Sequence, residues 1–203
     1  MKRDRQIGGP PVKNYDILVV GSGAGAFVVE QALAHGLKVA YVDRGPMGGT
    51  CLNVGCIPSK MIIYPADLIV DIQRASRLGI KATVEGVDFG AIMARARQHV
   101  MEERRNIAKA VARTQDLDFY DGTGRFVGDR VFEVNGQTLH AEKIYLASGA
   151  RPFIPPIPGL DRVDFLTNES LLALGACPRS LIIIGGGTSP SSMPTSLRRW
   201  ERR

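Results

Sequence analysis

The 203-residue chain contains no apolar run approaching the roughly 18 to 20 residues of a membrane-spanning helix. Its charged opening, MKRDRQIGGPPVKN, is not followed by an apolar core, so it does not read as a secretory signal; the expected location is cytoplasmic, with no membrane contact. Aromatic residues are scarce, at 6% with a single Trp, and no basic face interleaves with them. The net charge of +6 sits mostly at the ends. Lys2, Arg3, Asp4 and Arg5 contribute a net two positive charges; Arg198, Arg199, Glu201, Arg202 and Arg203 contribute three, leaving about one for the body. The Arg-rich stretch 91–113 reads as the solvated side of one long helix, so a nucleic-acid partner is not expected. His35, His99 and His140 stand alone in sequence, and no metal site is expected.

Glycine is plentiful. With 23 Gly and 12 Pro, 35 of 203 positions favour turns, but without a three-residue period, which excludes collagen. The 44% hydrophobic and 23% charged content fits a globular chain rather than a disordered one.

Residues 1–14 read as a flexible leader. Tyr15–Val20 (YDILVV) is a short apolar run of buried-strand type, and Gly21 opens a glycine-dense turn. Apolar residues recur at helical spacing from Ala24 to His35, with Gly36 as the stop. Lys38–Asp43 (KVAYVD) predicts a second strand, completing a β-α-β crossover. Pro58 can sit in the first turn of a helix running towards Leu78, and a further helix is expected over Phe89–Arg113. Short strands are expected near Leu117–Tyr120, Arg125–Val127, Val131–Val134 and Ile144–Ala147, with Asn135-Gly136 as a hairpin signal. Leu181–Ile184 (LIII) reads as one more buried strand, entering Gly185-Gly186-Gly187. Thr188–Arg203 holds 12 Ser, Thr, Pro and Arg among its 16 residues and is expected to be disordered.

Two motifs carry chemistry. In Gly21-Ser22-Gly23-Ala24-Gly25-Ala26, Gly21 permits a tight turn and Gly23 a close backbone approach to a pyrophosphate. Ala26 takes the small third position of the fingerprint that packs helix on strand. The helix N-terminus offers N–H groups to phosphate, and Asp43, twenty residues past Gly23, can bind ribose hydroxyls. The second motif is Gly48–Lys60, GGTCLNVGCIPSK. Cys51 and Cys56 at a helix start can approach within disulfide range, and a helix N-terminus with Lys60 nearby would lower a thiol pKa. Two buried cysteines or half of a zinc site are the competing readings.

The second motif strongly resembles the class I pyridine nucleotide–disulfide oxidoreductases, flavoproteins that include dihydrolipoyl dehydrogenase, glutathione reductase, mercuric reductase and mycothione reductase. The resemblance runs from about Tyr15 to Gly187 and takes in Tyr120–Phe126 (YDGTGRF), Ile144–Pro152 (IYLASGARP) and the Ile184–Gly187 turn. It implies a three-layer α/β, Rossmann-like FAD-binding fold with a parallel sheet and a small antiparallel meander around residues 117–147. It places this FAD-binding domain at 15–160 and the start of a second, NAD(P)-binding unit at 161–187. It implies FAD as cofactor, with Gly21, Gly23 and Asp43 on its ADP half and Gly49, Thr50 and Lys60 along the flavin. Gly124 would meet the adenine, and Ser148 and Gly149 would form a second FAD-contacting turn. Cys51 would exchange with a small or protein-bound disulfide substrate, Cys56 would pass electrons to the flavin, and NAD(P)H would be the reductant. Cys177 matches no motif.

The activity implied is that of a dihydrolipoyl dehydrogenase-like enzyme. A mercuric or mycothione reductase-like fragment and a non-catalytic flavin-binding remnant are the alternatives. The family is homodimeric, and its dimerisation domain, second nucleotide unit and C-terminal His-Glu pair are expected to be missing here, leaving a fragment inactive alone. Pro190 falls on the third small position of the second nucleotide turn. A one-base shift of the codons after Gly187 permits a family-like helix, so the tail at 188–203 reads as the product of a frameshift.

Overall fold

The computed structural model describes residues 11–185. The chain divides into two compact units. One holds the chain up to Gly49 together with Arg104–Ala150; the other holds Thr50–Glu103 together with the chain from Arg151 onward. The expected disorder and frameshift at 188–203, Pro190 and most of the leader lie outside the described residues.

The first unit is built on a six-stranded sheet. Its strands are β1 (Val12–Val20), β2 (Val39–Asp43), β3 (Leu117–Asp121), β4 (Gly124–Gly128), β5 (Val131–Val134) and β6 (Gln137–Leu146), in the order β3-β2-β1-β6-β5-β4. The four strands from β3 to β6 are parallel to their neighbours, and β6-β5-β4 is antiparallel. β1 begins three residues before the apolar run, because Val12, Lys13 and Asn14 pair with Thr138, Leu139 and His140. Ile17, Leu18 and Val19 are all buried, as a central parallel strand covered on both faces requires.

On one face, Ile17 and Val19 pack with Val29 and Ala32 of helix α1 (Gly25–Ala34), and with Ile107 and Val111 near the end of helix α4 (Phe89–Arg113). On the other face, Leu18, Ala40, Val42 and Tyr120 cluster with Phe132, Val134, Leu139 and Ala141. The connection from β3 to β4 explains this second cluster. These strands are at opposite ends of the strand order, yet only Gly122 and Thr123 separate them. The antiparallel ribbon must therefore fold across the parallel strands. Asn135, in the β5–β6 turn, donates Nδ2 to the Asp121 carbonyl at 2.9 Å and ties the ribbon to β3. The result is helix, sheet and ribbon in three layers.

Two strand expectations need correction. Leu117–Tyr120 does not start the meander; it is the parallel edge strand beside β2, because it closes a second crossover after α4. Leu181–Ile184 is irregular and open, with Ile182 89% exposed, because among the described residues no strand pairs with it. The Asn135-Gly136 hairpin is as the sequence predicts, with both residues at positive φ, +50° and +72°.

The second unit holds helix α2 (Gly49–Val54) from Thr50 onward, helix α3 (Cys56–Arg74), α4 as far as Glu103 and short helix α5 (Asn168–Leu171). The buried residues of α3, Pro58, Ile62, Ala66 and Ile69, recur at helical spacing. Ile62 packs with Met93 and Ala96, and Leu172 and Leu174 close over them. The helix expected to reach Leu78 is α-helical only to Arg74. A 3-10 turn covers Ala75–Leu78, and Gly79, at φ +79°, ends it. Pro65 sits inside α3 and cannot donate to the Met61 carbonyl; Arg95 donates to that oxygen instead, at 3.3 Å.

Candidate functional site

In the first unit, the predicted residues converge at the carboxyl ends of the parallel strands, where open α/β sheets place their ligand crevice. Gly21 lies at φ +105°, and a Cβ there would stand 2.1 Å from the Ala147 carbonyl oxygen and 2.9 Å from the Ser148 nitrogen. Only glycine lets the first turn pass the end of β6, so the turn bearing Ser148 and Gly149 lies alongside it. The Gly48-Gly49 pair docks on the same turn. Gly48 N–H donates to Ser22 Oγ at 3.1 Å, and a Cβ on Gly49 would stand 2.3 Å from Gly23 Cα.

The Asp43 carboxylate anchors the other side. Its Oδ2 accepts from Ser22 N–H at 2.6 Å and its Oδ1 from Gly45 N–H at 3.1 Å. Each carboxylate oxygen can accept a further hydrogen bond, which leaves capacity for ribose hydroxyls. The nearby Tyr41 phenol is pushed up to about 12, first by burial and then by the Asp43 charge. A groove of about 800 Å³ begins at Gly45 and Asp121 and runs along β3.

Gly25, not Ala26, is the position that lets helix pack on strand. A Cβ on Gly25 would stand 2.7 Å from Val19 Cγ1, whereas Ala26 is exposed. The third glycine of GSGAG was the available signal. At Gly124 the need for glycine is internal, since a Cβ would stand 2.1 Å from the Phe132 ring. Gly23 differs. Its φ is ordinary and an added Cβ would meet only Gly49 Cα, at 3.5 Å. Among the described residues nothing demands glycine there, which fits a position kept bare for an approaching phosphate. Helix α1 starts beside it with Ala24 as N-cap and no side-chain cap. These residues fit the ADP half of FAD.

In the second unit, the two cysteines lie on consecutive helices. Cys51 is in α2, Cys56 begins α3, and Gly55 between the helices is the N-cap. A Cβ on Gly55 would stand 2.7 Å from the Thr50 carbonyl oxygen and 3.2 Å from Cys51 Cα, so glycine is what lets the helices fold this tightly. Sequence reasoning gave Gly55 no role; its place between the cysteines was the only hint. Both thiols are free and exposed, and Cys51 hydrogen-bonds Cys56. That hydrogen bond is the first cause holding the Cys51 pKa above its ordinary value; burial adds to it, and the Lys60 charge opposes without winning. The expected lowering of the thiol pKa is thus corrected for Cys51. Thr50 and Lys60 are exposed in the same unit, Lys60 one helical turn beyond Cys56. Among the described residues no further His, Cys, Asp or Glu joins the pair in a group able to hold a metal ion. Cys177 is half-buried and outside any disulfide, and its thiol donates to the Pro178 carbonyl at 3.8 Å.

Residues 15–196 match the pyridine nucleotide-disulphide oxidoreductase family. The chain belongs to that family. Among its relatives, the mercuric reductase of Lysinibacillus sphaericus is 35% identical over 175 residues, 86% of this chain and 32% of that protein. The dihydrolipoyl dehydrogenase of Acholeplasma laidlawii is 32% identical over 181 residues, 86% of this chain and 54% of that one. In structure, the HOCl-induced flavoprotein disulfide reductase RclA from Escherichia coli superposes with a TM-score of 0.77 at 27% identity, over 92% of this chain and 40% of its own. The chain therefore spans a third to about half of the length of these relatives. The three-layer α/β, Rossmann-like fold is that of the family's flavoproteins, whose members are oxidoreductases using FAD and NAD(P)H. Among the described residues no helix is long and apolar enough to cross a membrane.

Proposed function

We propose that this chain carries the FAD cradle and the redox dithiol of a cytoplasmic disulfide oxidoreductase, with dihydrolipoyl dehydrogenase-like chemistry. The observation that carries the proposal is the Cys51–Cys56 pair at a glycine-hinged helix junction, in a chain that also builds the bare-glycine turn and its acid. Gly21, Gly23 and Asp43 would hold the ADP half of FAD. Gly124, Ser148 and Gly149 would complete that side, and Gly49, Thr50 and Lys60 would lie along the flavin. When bound, FAD supplies a two-electron couple matched to the dithiol/disulfide pair, with NAD(P)H as the ultimate reductant.

The chain's own step is thiol exchange. The Cys51 thiolate attacks one sulfur of the substrate disulfide, and the other leaves as a thiolate that takes up a proton. Cys56 then attacks Cys51 Sγ, releasing the second substrate thiol and leaving the Cys51–Cys56 disulfide. The hydrogen-bonded dithiol places the resolving thiol next to the attacking one before substrate arrives.

The test is an absorption spectrum of the purified chain titrated with FAD. A bound, yellow flavin with altered absorption is expected, and Asp43→Ala should weaken its binding about tenfold, the equivalent of one charge-assisted hydrogen bond. A folded chain that leaves the free-FAD spectrum unchanged at about 100 times a micromolar protein concentration would overturn the proposal. A second reading, reduction of mercuric ion, is favoured by the 35% identity with the Lysinibacillus mercuric reductase. Offering lipoamide or mercuric ion to the pre-reduced chain separates the two: oxidation of the Cys51–Cys56 dithiol by lipoamide supports the first reading, and mercury held by the pair supports the second.

A further inference from the structure

We propose that Asn168 is a positioning residue for the cysteine pair. The proposal rests on the reading of Cys51 and Cys56 as a redox couple. Val54 ends α2 and Gly55 caps α3, so the peptide between them is the hinge about which the two thiols meet. Gly55 has no side chain to brace that hinge, and no room for one. The brace comes from far along the chain: Asn168 Nδ2 donates to the Val54 carbonyl oxygen at 3.3 Å.

Asn168 is exposed, yet its backbone is fixed from both sides. It is the first residue of α5, and Thr167 caps that helix. Thr167 Oγ1 accepts from Glu169 N–H at 3.2 Å, while Thr167 N–H donates to Ser170 Oγ at 2.9 Å. Beyond α5, the Arg97 guanidinium donates to the carbonyls of Leu172, at 3.1 Å, and Leu174, at 3.5 Å. Leu172 and Leu174 pack over Ile62 of α3, the helix that begins with Cys56. The amide is thus held in register with the hinge it contacts.

A braced hinge keeps one sulfur at high effective concentration for the other and so favours the disulfide. With oxidised glutathione the change balances. Two S–H bonds of Cys51 and Cys56 break and their S–S bond forms. Two electrons and two protons pass to the glutathione disulfide, giving two glutathione thiols. Loss of the brace should lower the equilibrium constant without unfolding the chain.

The experiment equilibrates the full chain in mixtures of reduced and oxidised glutathione, quenches in acid and counts thiols by mass. Asn168→Asp keeps the size but replaces the donor with an acceptor. It should lower the equilibrium constant for the Cys51–Cys56 disulfide about two- to tenfold, the equivalent of one net hydrogen bond. Asn168→Gln, which restores an amide donor, should recover part of the loss, and Glu169→Gln on the exposed neighbour should have no effect. A merely structural role would move the denaturation midpoint of Asn168→Asp and leave the glutathione constant in place. A wild-type pair that oxidises with the same constant as Asn168→Asp overturns the positioning role alone. A wild-type pair that never forms the disulfide overturns the redox reading, and the proposal with it.

Discussion

The Cys51 thiol shares a hydrogen bond with Cys56, and this sets how Cys51 responds to pH. Alkylation of Cys51 by iodoacetamide should have its midpoint above the ordinary thiol value of 9.0. Cys56→Ala removes the leading cause and should bring that midpoint down. The fold favours the neutral thiol, so its stabilising effect is complete below the unfolded thiol pKa and fades as pH rises through the folded one. Urea midpoints of the reduced chain across that alkaline window check the sign. The glycines give a second contrast. Gly21→Ala drives a Cβ into backbone and should cost about 3 kcal/mol or more. Gly36→Ala, at φ +70° with nothing within 4 Å, should cost only the backbone strain, about 1 kcal/mol. Equal denaturation midpoints for the two variants would contradict the geometry. Composition and spacing could point to Gly21 and Asp43 because their motif is defined by local order. For Gly25 and Gly55 they gave only a hint, because the need for glycine becomes plain only when Val19 and Thr50 are brought against them.

Helix α3 tolerates its internal Pro65 because Arg95 takes over the orphaned Met61 carbonyl. A double-mutant cycle makes this measurable. Arg95→Ala should cost about 1 kcal/mol in the native chain and about zero in a Pro65→Ala background, where the helix supplies its own donor. Additive effects would show that the two residues do not share that oxygen. Elements defined by local signals were legible in the sequence: α4 spans Phe89–Arg113 as its periodicity predicts, and Asn135-Gly136 turns β5 into β6. Elements defined by distant partners were not. β3 reads as one more short strand before a turn, and only its pairing with β2 makes it parallel. β6 reads as four residues but has ten, because β1 on one side and β5 on the other both pair with it.

For the molecule as a whole, packing outweighs surface charge. The ion pairs Arg125–Glu133 and Arg130–Glu142 are both 3.1 Å long and largely open to water. Raising sodium chloride from about 0.1 to 1 M should therefore change unfolding free energy by less than about 1 kcal/mol. Leu18→Ala, in contrast, empties a fully buried position on the central strand and should cost about 3 kcal/mol in the same denaturation assay. The strand order also governs the sequence of events during synthesis. β1 is made before α2, α3 and α4, but its neighbour β6 is the last of the six strands to be made, with Val12 waiting for Thr138 and Val20 for Leu146. Until then Leu18 has no ribbon to cover it. A nascent chain must hold this central strand half-finished through the translation of α2, α3 and α4, which is an interval for chaperone capture. Refolding in the test tube faces the same long closure, and its rate should follow the joining of β6 to β1 rather than the formation of any helix.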